Sequence, residues 1–553
     1  MSTEIDSDAG VRSETRPSTT LRPDRSERST LFVVRWAWDF PQRLLCLALL
    51  GTAFVLFGGG KLDPGPIESR LGLAAAERLG PFGQVFGSWD PSVWVGQLVP
   101  SLLWAWGEGG MPTSASVRWP AAIAGVAVGL ILARRASSVL GGRAGVLVGL
   151  CWYGSLALMD RSAGAGLDLI TALGTVAALD RLLGRGSDLV AGCWAALAFL
   201  AGGWPPVAVV ALTTLVIGRP SASLSWRLLF PPALAAAGWS AWALSVAPAE
   251  AWAAALTLPL TQKPAWLLIP GVLALGLPWT PFAALTAGRS VRDGWPAQGR
   301  ALVIGWLQVA GACLLAGTLI PGLAGAAKVP ALAGLAVAAG ACCERMLVGG
   351  VGVGPRRWFF GATLVLLFLW TGLATGAGGY LAAAVPYYRA VCVTLIALAI
   401  PAAGLAVWAA ARGDGRKAFL AVFALAVFLK VAHWGYYVPE WNYRRSQGPW
   451  GRAVGQWVPP RWTIYTAHTW GADFAFATGH PVRQLVSAQH LAYEPAGAKF
   501  VLLLASEFEN WPSQAPPLTK VASFQDEYGG SRVLARTEGP LPWDRTVRGR
   551  ASE

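Results

Sequence analysis

Long apolar runs recur along this chain, and clusters of arginine punctuate them at every second gap. That alternation restricts the fold more than any single motif does. A helix of about 20 apolar residues matches the hydrocarbon thickness of a bilayer, and cations collect in the cytoplasmic turns of membrane proteins. The first run covers 44–57. Others lie near 117–133, 144–159, 167–182, 189–203, 204–217, 228–246, 265–288, 301–319, 329–343, 358–378, 390–411 and 418–431. Together they predict about thirteen transmembrane helices.

With the first span directed outward, the inside turns hold Arg134, Arg135 and Arg143, then Arg181 and Arg185, then Arg219 and Arg227. Arg289, Arg292, Arg300, Arg345, Arg356, Arg357, Arg412, Arg416 and Lys417 continue the series. The outside turns hold far fewer cations: Arg161, Lys263, Lys328 and Arg389. A shift of one helix would invert this asymmetry. The expectation is a polytopic α-helical protein of the cytoplasmic (inner) membrane, with its N-terminus in the cytoplasm and its C-terminus outside.

Composition agrees. Hydrophobic residues make up 54% of 553 and charged residues 13%, against roughly 25% charged in soluble chains. The net charge of +14 does not indicate nucleic acid, because the cations are spread between apolar runs instead of forming one patch. The seven cysteines show no metal or redox spacing, and none lies after residue 432. They read as small apolar residues inside helices, not as a disulfide framework.

Residues 1–30 are polar and without apolar periodicity, as in a disordered cytoplasmic tail. The run at Leu44–Phe57 starts too far in for a signal peptide and continues as an anchor. Residues 31–431 form the predicted transmembrane region, interrupted by a long outside loop at 58–116. Within that loop Ile67, Leu71, Leu73, Ala74 and Leu79 alternate with Glu68, Arg70, Glu77 and Arg78, the pattern of an interfacial amphipathic helix. Val93–Trp106 is apolar and tryptophan-rich, and reads as re-entrant or surface-lying. From 432 to 553 the chain changes character. Short strands are predicted at 461–467, 499–505, 518–524 and 531–537, with helices near 449–457 and 469–478, giving a small exported α/β domain.

Acids near a membrane are costly, so their positions carry information. Asp63 and Glu68 fall in the first outside loop, and Asp160 and Asp168 flank the outside turn between the third and fourth spans. Such carboxylates could deprotonate an acceptor hydroxyl or bind a divalent cation; equally, they could cap helices. Arg70, Arg118, Arg161 and Lys328 are outside cations suited to a phosphate, or to plain snorkelling at the interface. His433, His468, His480 and His490 lack ligand spacing and read as structural or surface residues. No Walker loop, dinucleotide fingerprint or zinc signature is present. An enzyme of this kind would meet its substrate within the membrane.

The order of these features resembles the GT-C glycosyltransferases of family 39 type, which include protein O-mannosyltransferases and lipid A aminoarabinose transferases. Leu62-Asp63-Pro64 through Glu68-Ser69-Arg70 to Ala74-Ala75-Ala76-Glu77-Arg78 resembles that family's acidic loop and interfacial helix. Val117-Arg118-Trp119-Pro120-Ala121 resembles the entry to the next span, and Leu140-Gly141-Gly142-Arg143-Ala144-Gly145 its cytoplasmic turn. Asp160-Arg161-Ser162 through Leu167-Asp168-Leu169-Ile170-Thr171 resembles the segment of the second acid. Pro278-Trp279 matches a recurring Pro-Trp, and Lys328-Val329-Pro330 a lysine-bearing turn. The likeness runs over roughly residues 40–540.

It implies a GT-C-like fold and inverting transfer of a sugar from a polyprenyl-phosphate donor to an acceptor on the outer face. By position it assigns the base to Glu68, with Asp63 as substitute, and the supporting acid to Asp168. Lys328 and Arg161 become the donor-phosphate partners, with Arg70 and Arg118 beside them. No cofactor follows with certainty, and a divalent metal stays open. The chain departs from the pattern at three places. Ile67 stands where a second loop acid is usual, Trp89-Asp90-Pro91-Ser92 replaces a Lys-Pro-Pro run, and Gly202-Gly203 replaces a Lys-Gly. A non-catalytic relative that binds lipid phosphate or a partner protein is therefore the alternative. A transporter is disfavoured, because the spans carry almost no charge at mid-depth.

Overall fold

The computed structural model describes residues 40–56, 69, 73, 114–163, 167–184, 186–217, 225–246, 264–349, 351–459, 462–467, 471–493, 498–525 and 529–538. The predicted N-terminal tail and most of the 58–116 loop lie outside the described residues. The helices are α1 (Phe40–Leu56), α2 (Ser114–Leu140), α3 (Gly142–Tyr153), α4 (Leu156–Ala163), α5 (Leu167–Leu183), α6 (Asp188–Gly202), α7 (Trp204–Ile217) and α8 (Trp226–Val246). Then come α9 (Leu268–Leu275), α10 (Thr280–Leu285), α11 (Arg289–Arg292), α12 (Ala297–Leu319), α13 (Ala324–Val348), α14 (Val353–Leu373), α15 (Gly379–Ala384), α16 (Arg389–Arg412) and α17 (Gly415–Ala432).

Among the described residues, six helical stretches are long and apolar enough to cross a membrane: Val117–Leu140, Ala297–Leu319, Pro321–Val348, Val353–Ala384, Pro386–Arg412 and Gly415–Arg444. Gln42–Ala53, Asp188–Gly202 and Trp204–Ile217 are shorter apolar helices. Leu234, Val365, Phe368, Leu369 and Ile400 point away from the bundle, each more than half exposed. An apolar exterior of that extent suits lipid, not water. The protein is a multi-pass helical membrane protein.

Helix contacts fix which ends lie together. Arg135 on α2 meets Asp180 on α5 at 3.7 Å, and a side chain at Gly125 would touch Leu169, so these two helices run parallel. Gly299 abuts Leu140, Gly305 abuts Leu183, Gly294 abuts Arg345 and Gly415 abuts Met346. The Arg356 guanidinium donates to the Gly413 carbonyl. The arginine-bearing turns thus gather at one end of the bundle. The first turns of α2, α5 and α13 occupy the other.

Close packing follows from small residues. A Cβ at Gly334 would press on the backbone of Trp306, and one at Gly340 would lie 2.5 Å from the Val148 Cα. α13, the most buried of the six spans, can sit against α12 and α3 only because both positions lack a side chain.

Two predicted spans are broken. The expected helix at 144–159 stops at Tyr153. Gly154 turns the chain, and Ser155 Oγ accepts from the Leu158 N–H (3.4 Å), capping α4. The expected span 265–288 divides into α9 and α10 on either side of Leu277-Pro278-Trp279. The two breaks face each other: the Leu156 N–H donates to the Leu277 carbonyl at 3.0 Å. Irregular backbone at this depth is tolerable where protein surrounds it and its polar groups find partners.

The last spans run on past their predicted ends. α14 passes through a π-helical segment, Ala374–Gly378, into α15, and α17 passes through another, His433–Tyr437, into α18 (Val438–Arg445). The sequence places the start of the exported domain at 432, yet the helix continues to Arg445. Tyr388 donates to Glu440 Oε2 at 2.6 Å and Glu440 also pairs with Arg444, tying these ends together beyond the bundle.

The C-terminal unit holds α19 (Gly448–Gly455), β1 (Ile464–Thr466), α20 (Ala472–Thr478), β2 (Val482–Gln484), β3 (Phe500–Leu504), α21 (Ala505–Glu509), β4 (Leu518–Gln525) and β5 (Ser531–Thr537). The sheet order is β2-β1-β3-β5-β4. β1 pairs parallel with β2 and β3, while β5 runs antiparallel to β3 and β4. The four predicted strands are present, and β2 adds one that the sequence pattern does not signal. Trp450 stacks on Phe474 with ring centroids 4.1 Å apart. Gly451 and Gly455, one turn apart, let α19 lie against the backbone of α20.

Candidate functional site

Three predicted site residues, Asp63, Glu68 and Arg70, lie outside the described residues. Their described neighbours Ser69 and Leu73 are helical and four residues apart, and both are buried. Leu73 belongs to the main apolar core, with residues of α2 and α5.

Arg118, in the first turns of α2, is 3% exposed and already engaged by other groups of the protein. It is not a snorkelling surface cation. Asp168 occupies the first turn of α5, is partly buried and is likewise engaged. A carboxylate there is also favoured by the positive end of the helix dipole. Arg161 is on α4. Lys328 sits in the second turn of α13, partly buried. Since α2, α5 and α13 point the same way, Arg118, Asp168 and Lys328 share the end of the bundle opposite the arginine-rich turns.

One charged residue of interest carries no motif. Lys430 lies within the run 418–431, and its side chain is only 5% exposed. The sequence does hold a signal for it: a lone lysine near the end of an otherwise apolar span. Among the described residues it has no ion-pair or hydrogen-bond partner. Trp279, 2% exposed, has an Nε1–H with no hydrogen-bond acceptor among the described residues. Trp279 stacks on Phe419 of α17, centroids 5.6 Å apart. A Cβ at Gly154 would lie 3.1 Å from both Trp279 Nε1 and the Ala426 Cβ.

Each described histidine contacts neighbouring groups of the protein. His480 places Nδ1 3.2 Å from the Trp462 carbonyl and Nε2 3.1 Å from the Gly455 carbonyl. Burial lowers its pKa below the usual 6.5, and the two carbonyls partly oppose that shift. His433 stacks on Tyr437, and His490 Nδ1 lies 3.3 Å from Ser487 Oγ. Among the described residues no three His, Cys, Asp or Glu side chains gather as a metal site. All seven cysteines are free; five are buried, and Cys46 and Cys193 are exposed.

No protein-family profile matches the chain, and no curated protein matches it either. Solved structures do. The chain is similar to ArnT from Cupriavidus metallidurans in the apo state, with a TM-score of 0.63 and 15% identity, covering 91% of this chain and 99% of that one. It is equally similar to the same ArnT bound to undecaprenyl phosphate, with a TM-score of 0.63, 16% identity and the same coverage. At that identity the likeness speaks for architecture: across 91% of its length this chain has the ArnT fold, and the resemblance to GT-C glycosyltransferases read from its motifs holds at the level of the fold.

Proposed function

We propose that the protein is a membrane glycosyltransferase that moves a sugar from a polyprenyl-phosphate donor to an acceptor on the outer face of the cytoplasmic membrane. The observation that carries this reading is the shared fold with ArnT, whose structure with undecaprenyl phosphate is known. Support also comes from the arginine-bearing turns gathered at one end. Taken as the cytoplasmic end, it leaves Arg118, Asp168, Lys328 and the C-terminal unit outside.

In this reading Glu68, or Asp63 in its place, takes the proton from the acceptor hydroxyl as the oxygen attacks the anomeric carbon. The bond from that carbon to the phosphate oxygen breaks, and the configuration inverts. Negative charge gathers on the departing lipid phosphate, where Lys328, Arg161 and Arg70 lower its energy. Arg118, already engaged, supplies a fixed positive field. Asp168 orients these groups from the start of α5.

The test is turnover of a polyprenyl-phosphate sugar by the protein reconstituted in lipid. The reading expects sugar release that Glu68→Ala and Asp168→Asn each lower by at least about a hundredfold, the scale of an acid–base contribution. Release undiminished in both variants would remove these assignments. Saturable lipid binding with no sugar release would favour the non-catalytic relative, consistent with the replaced loop acid and lysine.

A further inference from the structure

The geometry points to Lys430 as an anion-binding residue: we propose that its ammonium takes the phosphate of a membrane lipid inside the outer half of the helix bundle. This rests on the reading of the protein as a handler of polyprenyl phosphate, and adds a residue from the last span that no motif indicated.

Depth comes first. Lys417, near the start of α17, marks the cytoplasmic interface: Asp414 caps the helix there, and the Lys417 ammonium lies over the Trp408 ring at 3.2 Å. Lys430 is thirteen residues further on, about 20 Å along the axis. A hydrocarbon core of about 30 Å then leaves it roughly 10 Å short of the outer boundary.

Its direction follows from Ala426, one turn earlier on the same helical face. Ala426 packs on Gly154, at the break between α3 and α4, and Gly154 packs in turn on Trp279, at the break between α9 and α10. Lys430 therefore lies one turn beyond Gly154 on the face of α17 that packs against the two interrupted helices. The side chain is 95% removed from the surface, so it does not reach the interface as a snorkelling lysine would.

An ammonium buried without a counter-charge is strongly unfavourable. Such a group persists where it meets a ligand of opposite charge. Trp279 Nε1, beside Gly154 at the helix breaks, is a buried atom that can only donate. Both lack partners among the described residues, and both call for an acceptor. A phosphate oxygen satisfies each. The chain has no lysine in the Trp89-Asp90-Pro91-Ser92 segment, and Lys430 supplies a cation from another element.

The experiment measures undecaprenyl phosphate binding to the full chain in nanodiscs, together with the melting temperature with and without that lipid. The wild type should bind and be stabilised by it. Lys430→Met should bind at least tenfold more weakly and lose the lipid-induced shift, while melting no lower than wild type without lipid. Lys430→Arg should stay within about threefold of wild type. K430Q against K430R reads the same contrast if K430M does not fold.

Wild-type binding that K430M and K430Q leave unchanged overturns the role of Lys430 and leaves the proposed function standing. A lipid-free melting temperature lowered in both K430M and K430Q would also overturn it, by making the lysine structural. No binding by the wild type sinks the proposed function as well. A lysine-dependent shift with millimolar inorganic phosphate alone would assign the site to a free anion and remove the lipid.

Discussion

Arg135 and Asp180 face each other at 3.7 Å between α2 and α5, with 30% and 16% of their side chains exposed. The pair joins the two helices near their arginine-rich ends, and so sets the parallel run that places Arg118 and Asp168 together at the opposite end. Arg135 Nε and Asp180 Oδ1 approach as charges without a hydrogen bond. Its worth should therefore fall between that of a surface pair and that of a fully buried one. Because burial of the carboxylate offsets the attraction of Arg135, Asp180→Asn is expected to change stability by less than about 1 kcal/mol, with Arg135→Gln adding little to it. Thermal unfolding of the two single variants and the double variant in detergent checks this.

A second prediction concerns α13. Any side chain at Gly340 must enter the space of the Val148 backbone, with a Cβ 2.5 Å from its Cα, and backbone cannot swing aside as a side-chain tip can. Gly340→Ala should destabilise the bundle by about 1–3 kcal/mol, the usual range for overpacking. A Cβ at Gly311 would meet nothing within 4 Å, so Gly311→Ala should be neutral or slightly stabilising. Melting temperatures of the two variants side by side give the answer.

The third lies in the C-terminal unit. His480 is held neutral by burial, with a folded pKa below its unfolded value of 6.5. Above 6.5 the ring is neutral in both states, and the unit keeps its full stability. As pH falls below 6.5 the unfolded chain takes up the proton first, and stability declines until the folded pKa is passed. Hydrogen-exchange protection factors of β1 and β3 should fall as pH drops below 6.5, and His480→Asn should flatten that dependence. An unchanged profile in the variant would place the titration elsewhere.

Much of this architecture is legible in the residues because water and lipid sort them harshly. Arg345, Arg356 and Arg412 have to lie at helix ends, and so the alternation of ends can be read. The breaks at Gly154 and at Leu277-Pro278-Trp279 are hidden, because a bend inside protein keeps the same apolar composition as a straight span. β2 escapes notice since three residues, Val482-Arg483-Gln484, carry too little pattern. Lys430 escapes for another reason: hydropathy averages over a window, and one lysine among phenylalanines and leucines barely lowers it. The catalytic assignments to Asp63, Glu68 and Arg70 rest on motif alone, whereas Asp168, Arg118 and Lys328 gain a shared end of the bundle.

The 58–116 loop and the C-terminal unit are expected to face the same compartment, opposite the arginine-rich turns. Labelling of single reporter cysteines in intact cells by a membrane-impermeant maleimide tests that most directly, in a background from which the seven native cysteines have been removed. Reporters at Ser88, Ser506 and Ser531 should label from outside without lysis, and reporters at Ser138 and Ser290 only after it. Opposite behaviour of Ser88 and Ser506 would contradict the account.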